Sequence, residues 1–205
     1  MIVLSSAYLA PIVHYALIAQ HKHYAIDVHE NFVKQTYRSR AEIYGANGKL
    51  KLIVPLNKRK NRTPMKEITV NYDENWQRLH WKSFESAYRL SPYFEFYEED
   101  FRPFYEEKKH DKLVDLNSAF EEIVLSLLQL DYKVETTQSY QEQNPDYRSL
   151  IHPKATYSSI HFPKYIQVFS EKFGFIPNLS ILDLLFNLGS ASTAYLKELK
   201  LVFKK

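Results

Sequence analysis

The alternation of short apolar runs and polar turns at the start of the chain predicts a parallel βαβ unit. Residues 2–5 (IVLS) and 24–28 (YAIDV) read as buried strands, and PIVHYALIAQH between them predicts a helix with Pro11 in its first turn. The carboxyl ends of parallel strands form the ligand-binding edge of such a unit. The pattern therefore places residues 5–11 and 27–30 at one edge of the sheet.

A β-hairpin is predicted directly after this unit. Residues 37–43 alternate loosely between apolar and polar, Asn47-Gly48 is a strong hairpin signal, and 49–55 (KLKLIVP) read as the returning strand. A polar, basic connection follows at 57–65, and 66–72 (KEITVNY) predicts a third strand. The hairpin would leave from the carboxyl edge, immediately after the second strand.

The remainder of the chain has mostly helical spacing. Apolar residues recur at helical intervals over 75–91, about 94–107 and 111–130, and Ser91-Pro92 stops the first of these helices. Residues 132–135 predict a last strand, and 136–157 predict a long connection.

Two helices are predicted near the end, over 162–175 and 177–190, with Gly174 as a C-cap and Ser180 or Asn178 at the second N-terminus. The predicted fold class is α/β, with a Rossmann-like βαβ start and a basic β-hairpin followed by a mostly α-helical C-terminal half. One domain is expected over 1–205, with an α/β part at 1–72 and a mainly helical part at 73–205.

Composition narrows the classes of function. The 205 residues include no cysteine, which removes disulfides, thiolate metal sites and cysteine nucleophiles. The net charge of +3 divides into +7 over 1–70, −9 over 71–146 and +5 over the rest. A basic first third attracts anions, while the acidic middle disfavours a nucleic-acid partner. We expect a cytoplasmic protein without a signal peptide or membrane span, because no apolar stretch approaches about twenty residues.

The hairpin and its lead-in carry the candidate binding residues. These are Lys34, Gln35, Tyr37, Arg38, Arg40 and Asn47. Cations held by a strand suit a phosphate, phosphonate or carboxylate. The alternative is a sheet whose basic outer face is simply solvated. The run KRKNR (58–62) has the same two readings, as a solvated loop or as a flap that grips phosphate.

Two histidines are candidates for chemistry. His14 lies just inside the first helix, where a helix N-terminus favours an anion, but no paired His or Gly accompanies it; a buried or capping role is the alternative. His80 is the candidate proton acceptor, with a structural role as its alternative. A second His one turn from His80 is missing, so no metal site is predicted.

Three further polar residues are expected to support the site, namely Arg89, Asp183 and Asn187. Asp183 and Asn187 lie four apart on a very apolar helix and need buried partners. A salt bridge from Asp183 to Arg38, Arg40 or Arg89 would satisfy the carboxylate, and it could also orient a catalytic arginine.

The whole pattern resembles the WbqC-like family of bacterial proteins. The matching segments, in order, are AYLAP, KQTYRSRAEIYGANG, WQRLHWKSFESAYRLSPYFEFY, LVDLN and FGFIPNLSILDLLFNLG. One departure is Ser5-Ser6-Ala7, where many relatives have Gln-Pro-Asn. If that Gln or Asn binds ligand, this chain has changed its substrate or lost activity.

The resemblance implies a transferase of bacterial surface-polysaccharide (O-antigen) biosynthesis, with glycyl transfer to an amino sugar as the reaction proposed for such proteins. The expected partner is an anionic small molecule, a nucleotide sugar or an activated amino acid. It implies no established catalytic residues, and the sequence identifies no cofactor. The alternatives are a non-catalytic binding or assembly protein of a glycan-synthesis complex and an ATP-dependent enzyme.

Overall fold

The β structure consists of a parallel sheet and a separate hairpin. The computed structural model describes residues 1–107, 110–140, 142, 146–155, 157 and 160–201. The strands are β1 (Ile2–Ser5), β2 (His23–Asp27), β3 (Arg40–Gly45), β4 (Gly48–Ile53) and β5 (Lys133–Thr136). The parallel sheet has the order β1-β2-β5, and β3 pairs with β4.

The helices dominate the C-terminal half. They are α1 (Ile12–His21), α2 (Trp76–Tyr88), α3 (Phe94–Phe101), α4 (Pro103–Glu106), α5 (Leu113–Leu127), α6 (Ser170–Phe173), α7 (Ile181–Leu188) and α8 (Ser192–Glu198). Single 3₁₀ turns occupy Met65–Glu67, Tyr147–Ile151 and Gly189–Ala191. The predicted α/β class with a mostly helical second half is therefore confirmed.

The predicted βαβ unit is present. Strands β1 and β2 are parallel, with Ile2 opposite Tyr24 and Ser5 opposite Asp27, and α1 connects them. Strand β5 extends the sheet in the same direction on the other side of β2. Both Ser5 and Asp27 therefore end their strands at the same carboxyl edge, as expected.

The N-terminus of α1 is completed by a segment from far along the chain. The N–H of Ile12 donates to the carbonyl of Leu179 at 3.0 Å, and the N–H of Val13 donates to Asn178 Oδ1 at 2.9 Å. The first N–H groups of a helix have no partner within the helix. Asn178 and Leu179 therefore accept the first N–H groups of α1, since Pro11 at the N-cap has no side-chain acceptor.

The hairpin is confirmed, with its turn one residue earlier than predicted. Gly45 lies opposite Gly48, and Ala46 and Asn47 form the turn between them. Gly48 has a φ of +93°, a conformation that L side chains rarely adopt.

The predicted third strand over 66–72 is wrong. Residues Met65–Glu67 form a 3₁₀ turn, and the N–H groups of Met65 and Lys66 donate to the carbonyls of Glu30 and Val28. Beyond the turn, Thr69 bridges to Lys112 and Val70 bridges to Leu56, so the segment pairs with two different neighbours and no continuous ladder forms.

The predicted helix over 162–175 is mostly wrong, because only Ser170–Phe173 is helical. The side chain of Gln167 accepts the N–H of Ile176 at 2.9 Å, which folds the preceding residues back as a loop. Gly174 is the C-cap and Ser180 is the N-cap of α7, as predicted.

The core joins both halves of the chain. One buried cluster runs from Leu4 in β1 to Leu199 after α8, and α8 packs against α1. In α2, Trp76, His80 and Phe84 face this core. The aromatic segment 94–107 is helical but divided by Pro103 into α3 and α4.

Candidate functional site

The carboxyl edge of the parallel sheet holds a buried network of charges centred on Asp27. Asp27 Oδ1 accepts the N–H groups of His29 (2.9 Å) and Glu30 (3.1 Å) and the hydroxyl of Thr137 (3.0 Å). Asp27 Oδ2 accepts from Arg148 Nη1. Bonds with Asp146 and Asp27 raise the pKa of Arg148, although its desolvation acts in the opposite direction. Asp27 thus ties β2, the end of β5 and the 3₁₀ turn at Arg148 together.

Arg38 lies at this edge, as predicted, but its guanidinium is committed to protein partners. Its Nε and Nη2 donate to Glu30 Oε1 (2.9 Å) and Oε2 (2.5 Å). It also donates to Thr36 Oγ1 at 3.2 Å and to Ser5 Oγ at 3.1 Å. With both members of the ion pair buried, Arg38 braces the edge of the sheet.

Ser5 and Ser6 belong to the same network. Ser5 accepts from Arg38, while Ser6 Oγ accepts from Asn117 Nδ2 at 3.0 Å. Asn117 Nδ2 also donates to the carbonyl of Arg38 at 2.9 Å. In the described part of the chain, Asn117 Oδ1 is buried without a hydrogen-bond partner. The serines thus link β1 to α5 and to the hairpin.

The structure does not gather the other predicted binding residues at one point. Lys34, Gln35 and Asn47 are exposed. Arg40 donates from Nη2 to the carbonyl of Gln35 at 2.7 Å, which fixes the lead-in to the hairpin. Tyr37 is buried and donates to Glu42 Oε2 at 3.1 Å.

Lys34 instead lines a basic depression, named here the cationic pocket. The pocket has a volume of about 310 Å³ and is lined by Phe32, Val33, Lys34, Arg59, Lys60, Asn61, Arg62 and Thr63. Four of these eight residues are cations and none is a carboxylate. The 58–62 run thus lines a cavity whose charged side chains are all cations, and a phosphate-gripping role for it stays a prediction beside the solvated loop.

The cationic pocket is held against the chain that leaves β2. The N–H of Phe32 donates to the carbonyl of Thr63 at 2.9 Å, and Asn31 forms a bridge with Pro64. The guanidinium of Arg59 lies 4.3 Å from the centre of the Phe32 ring. Burial lowers the pKa of Arg59, which stays a cation at neutral pH. The loop is thus docked beside the carboxyl edge.

His80, the predicted proton acceptor, is enclosed in an aromatic cluster. Its Nδ1 lies 2.9 Å from the hydroxyl of Tyr8, which is 2.7 Å from the hydroxyl of Tyr105. The ring of Trp76 packs edge-on at 5.1 Å. Burial lowers the pKa of His80 to about 4, so the imidazole is neutral at pH 7. A neutral imidazole can accept a proton, but His80 is only 4% exposed, and its catalytic role stays a prediction.

His14 is buried in the first turn of α1, where its ring meets a carboxylate. Its Nε2 lies 3.2 Å from Glu121 Oε2, and the hydroxyl of Tyr24 donates to Glu121 Oε1 at 2.7 Å. The contacts connect α1, β2 and α5. This is the buried alternative considered for His14.

Comparison with families of known proteins decides the broader class. Residues 6–155 match the WbqC-like protein family. The chain belongs to the WbqC-like protein family. No curated protein and no solved structure matches this chain.

The WbqC-like match contains nearly all of the carboxyl edge. It spans Asp27, Glu30, Arg38 and Arg148 together with the cationic pocket. The segment FGFIPNLSILDLLFNLG, with Asp183 and Asn187, lies beyond the match.

The expected salt bridge of Asp183 is wrong. Asp183 accepts from three neutral donors: the hydroxyl of Tyr88 (2.9 Å), the hydroxyl of Tyr165 (2.6 Å) and Gln167 Nε2 (2.7 Å). Burial raises the pKa of Asp183, although these hydrogen bonds act in the opposite direction. Asn187 donates to the carbonyl of Asp183 at 2.7 Å. These five residues form one polar cluster around Asp183.

The arginines expected to satisfy Asp183 have other partners. Arg38 pairs with Glu30, and Arg89 donates to Glu85 Oε1 at 3.0 Å on the surface of α2. Arg89 Nη2 also lies 3.9 Å from Glu98 Oε2, and neither Glu85 nor Glu98 belongs to the carboxyl-edge network.

Sequence reasoning missed Arg148 and Asn117. Arg148 lies in the stretch predicted to be a long connection, and nothing in its spacing indicates a buried pair with Asp27. Asn117 was a detectable signal, because it is an amide on the apolar face of a predicted amphipathic helix.

Among the residues that the structure describes, no group of three or more His, Asp or Glu side chains could hold a metal ion. No helix in the described ranges is long and apolar enough to cross a membrane.

Proposed function

We propose that this protein is a transferase of bacterial surface-polysaccharide biosynthesis that binds an anionic, activated donor in the cationic pocket. The observation that carries the proposal is the pocket itself, where Lys34, Arg59, Lys60 and Arg62 converge without a carboxylate. Phosphate oxygens accept strong charge-assisted hydrogen bonds from such groups. The family resemblance supports the biosynthetic setting.

The position of the pocket supports a donor site rather than a merely solvated loop. Residues 63–66 hydrogen-bond to the chain between Val28 and Phe32, directly after β2. Ligands of open α/β sheets bind beyond the carboxyl ends of the strands. A phosphate in the cationic pocket would therefore lie next to that edge.

The proposed reaction is aminoacyl transfer, with glycine as the group that the resemblance suggests. The amine of an amino sugar attacks the carbonyl carbon of the activated amino acid, an amide bond forms, and the bond to the anionic leaving group breaks. The amine loses its proton to a base, for which His80 is the candidate. Cations around the leaving group would stabilise the charge that develops on it.

The burial of His80 favours a second candidate function, binding without catalysis. A base must come within hydrogen-bond reach of the proton that it accepts. His80 makes its hydrogen bond with Tyr8 inside the core, so a substrate could reach it only after a rearrangement. The same chain would then bind an anionic glycan precursor and present it to another protein.

Calorimetry with two matched charge variants tests the binding site. The first variant is Lys34→Gln/Lys60→Gln/Arg62→Gln, which removes three exposed cations from the pocket. The control is Lys51→Gln/Arg78→Gln/Lys82→Gln, which removes three exposed cations elsewhere, on β4 and α2. Both variants have the same net charge.

The probes are UDP-N-acetylglucosamine, ATP with magnesium, and inorganic pyrophosphate. We expect at least one to bind the unchanged protein, the pocket variant to bind it at least tenfold more weakly, and the control to change affinity by less than threefold. A tenfold loss corresponds to about 1.4 kcal/mol. Equal losses in the two variants, or no binding of any probe, would remove the donor site from the proposal.

Product formation separates the two candidate functions. Protein that binds one of the probes is incubated with the amino sugar and glycyl-adenylate, whose adenylate is the anionic leaving group, and the mixture is examined by mass spectrometry for the glycyl amide. If the unchanged protein and His80→Gln bind the probe equally well and neither forms the glycyl amide, the result favours the non-catalytic function.

A further inference from the structure

A second cavity is lined in part by Tyr37, three residues after Lys34 of the cationic pocket. It has a volume of about 360 Å³, and we name it the hairpin pocket. The residues that line it and matter here are Tyr37, Lys49, Tyr157, Phe162, Pro177 and Asn178. Lys34 lines the cationic pocket and Tyr37 lines this one, so the two cavities flank a single short stretch of chain.

The side-chain amide of Asn178 has an unused donor in this cavity. Asn178 is only 7% exposed, and its Oδ1 accepts the N–H of Val13 at 2.9 Å, which fixes the orientation of the amide. Within the described ranges, Nδ2 has no hydrogen-bond partner. Buried polar groups are nearly always paired, so this donor requires an explanation.

Asn178 is one of the residues that line the cavity. The Asn178 amide is close enough to Tyr157, which also lines the pocket, to lower the pKa of that phenol, which burial raises to about 12. No hydrogen bond of ordinary geometry joins the two groups, and Tyr157 donates its own proton to the carbonyl of Leu150 at 2.5 Å. An acceptor placed in the pocket would therefore find Nδ2 available.

Lys49 supplies a positive charge at the same cavity. Its Nζ lies 3.5 Å from Glu42 Oε2, and the side chain is 49% exposed. Glu42 in turn accepts from the hydroxyl of Tyr37, and the hydroxyl of Tyr157 donates to Leu150, so both tyrosine protons are already used by protein groups. The pocket thus offers an amide donor and an ammonium group to a ligand.

The walls select an apolar body for that ligand. Besides the aromatic rings of Tyr157 and Phe162, the lining includes Ile160, Pro153 and Pro177. Donors placed beside aromatic and aliphatic side chains are typical of sites that orient a small amphiphilic molecule.

We propose that the hairpin pocket binds a small carboxylate with an apolar or aromatic body. One carboxylate oxygen accepts from Asn178 Nδ2, Lys49 supplies the opposite charge, and the body packs against Tyr157 and Phe162. The inference goes beyond the proposed donor site and does not depend on it, since no residue of the cationic pocket takes part.

The test compares phenylacetate with its neutral isostere phenylacetamide. Each is titrated into ¹⁵N-labelled full-length protein while the side-chain amide signals of Asn178 are followed by NMR. We expect phenylacetate to shift these signals in a saturable manner, and phenylacetamide to bind at least tenfold more weakly.

Three variants assign the contacts. Asn178→Asp keeps an oxygen that can accept the N–H of Val13, and aspartate tolerates the φ of +54° at this position. The substitution replaces the donor Nδ2 with an acceptor oxygen. We expect it to bind phenylacetate at least tenfold more weakly, followed by backbone signals of the pocket. Lys49→Gln should weaken binding about threefold or more, whereas Lys51→Gln, an exposed position on the same strand, should leave affinity unchanged.

The outcome is decisive in either direction. The proposal is overturned if phenylacetate shows no saturable binding at roughly 10 mM, about the weakest affinity of interest. It is also overturned if phenylacetate and phenylacetamide bind with equal affinity. If Asn178→Asp does not fold, the comparison of Lys49→Gln with Lys51→Gln decides, and equal affinities would refute the site. Loss of nucleotide binding at the cationic pocket has no bearing on this result.

Discussion

The buried ion pair of Arg38 and Glu30 allows a quantitative test of the carboxyl-edge network. The two side chains are 6% and 7% exposed and are joined by two hydrogen bonds of 2.9 and 2.5 Å. Removing one member leaves the other charge buried without its partner, which costs about 3–5 kcal/mol. Because a domain is stable by only about 5–15 kcal/mol, Arg38→Met should lose a large part of the free energy of unfolding.

The assay is urea unfolding of the unchanged protein, Arg38→Met, Glu30→Gln and the double variant. We expect each single variant to lose about 3 kcal/mol or more, and the double variant to lose less than the two single losses combined, by about 1–3 kcal/mol. The exposed neighbour Lys34→Met is the control and should change stability by less than about 0.5 kcal/mol.

A loss below about 1 kcal/mol for Arg38→Met would refute this reasoning, since the pair would then behave as a surface salt bridge does. The expected instability also affects how ligand experiments are interpreted. Reduced ligand binding by Arg38→Ala would follow from a disrupted sheet edge as readily as from a lost contact. The exposed cations of the cationic pocket are the better positions for testing recognition.

Three further predictions concern stability, each measured by urea unfolding. Burial lowers the pKa of His80 from 6.5 to about 4. As the pH falls, the unfolded chain therefore binds a proton at His80 before the folded chain does. Neutral His80 contributes its full stabilisation above pH 6.5, and about 3 kcal/mol of the free energy of unfolding is lost on going to pH 4. His80→Gln should lack this component, and an unchanged pH profile would contradict the shift. Asp183→Ala leaves three buried donors without an acceptor and should cost about 3 kcal/mol or more, whereas a cost under about 1 kcal/mol would show that water replaces the carboxylate. Gly189→Ala would place a Cβ 2.6 Å from the Tyr93 ring at a φ of +55°. It should therefore destabilise the protein more than Gly48→Ala, which has a φ of +93° but open space around it and should cost about 1 kcal/mol. Equal losses in the two variants would mean that the Tyr93 ring moves aside freely.

Local patterns were sufficient to predict the βαβ unit and the hairpin. The apolar runs at 2–5 and 24–28 and the Asn47-Gly48 signal depend on neighbouring residues, which fix strand and turn geometry directly. The same logic placed Ser5 and Asp27 on one edge. It failed over 66–72, where Lys66 and Glu67 belong to a 3₁₀ turn and the residues after them form single bridges with two different segments, near Leu56 and Lys112.

The state of each candidate side chain depends on distant partners, which local patterns do not contain. Arg38 lies at the predicted edge, yet whether it meets ligand or protein is decided by Glu30. Asp183 was expected to find an arginine, but Tyr88 and Tyr165 satisfy it. A tyrosine counts as apolar in a hydrophobic pattern, although its hydroxyl is a donor when buried.

The cap on α1 has a consequence for the synthesis of this protein on the ribosome. The N–H of Val13 finds its acceptor in Asn178, which is 165 residues later in the chain. At about 5–20 residues per second, the growing chain would wait on the order of ten to thirty seconds for this partner. During that interval the apolar surface of α1 that α7 and α8 later cover would remain exposed, which makes the nascent chain a substrate for chaperones that bind near the exit tunnel.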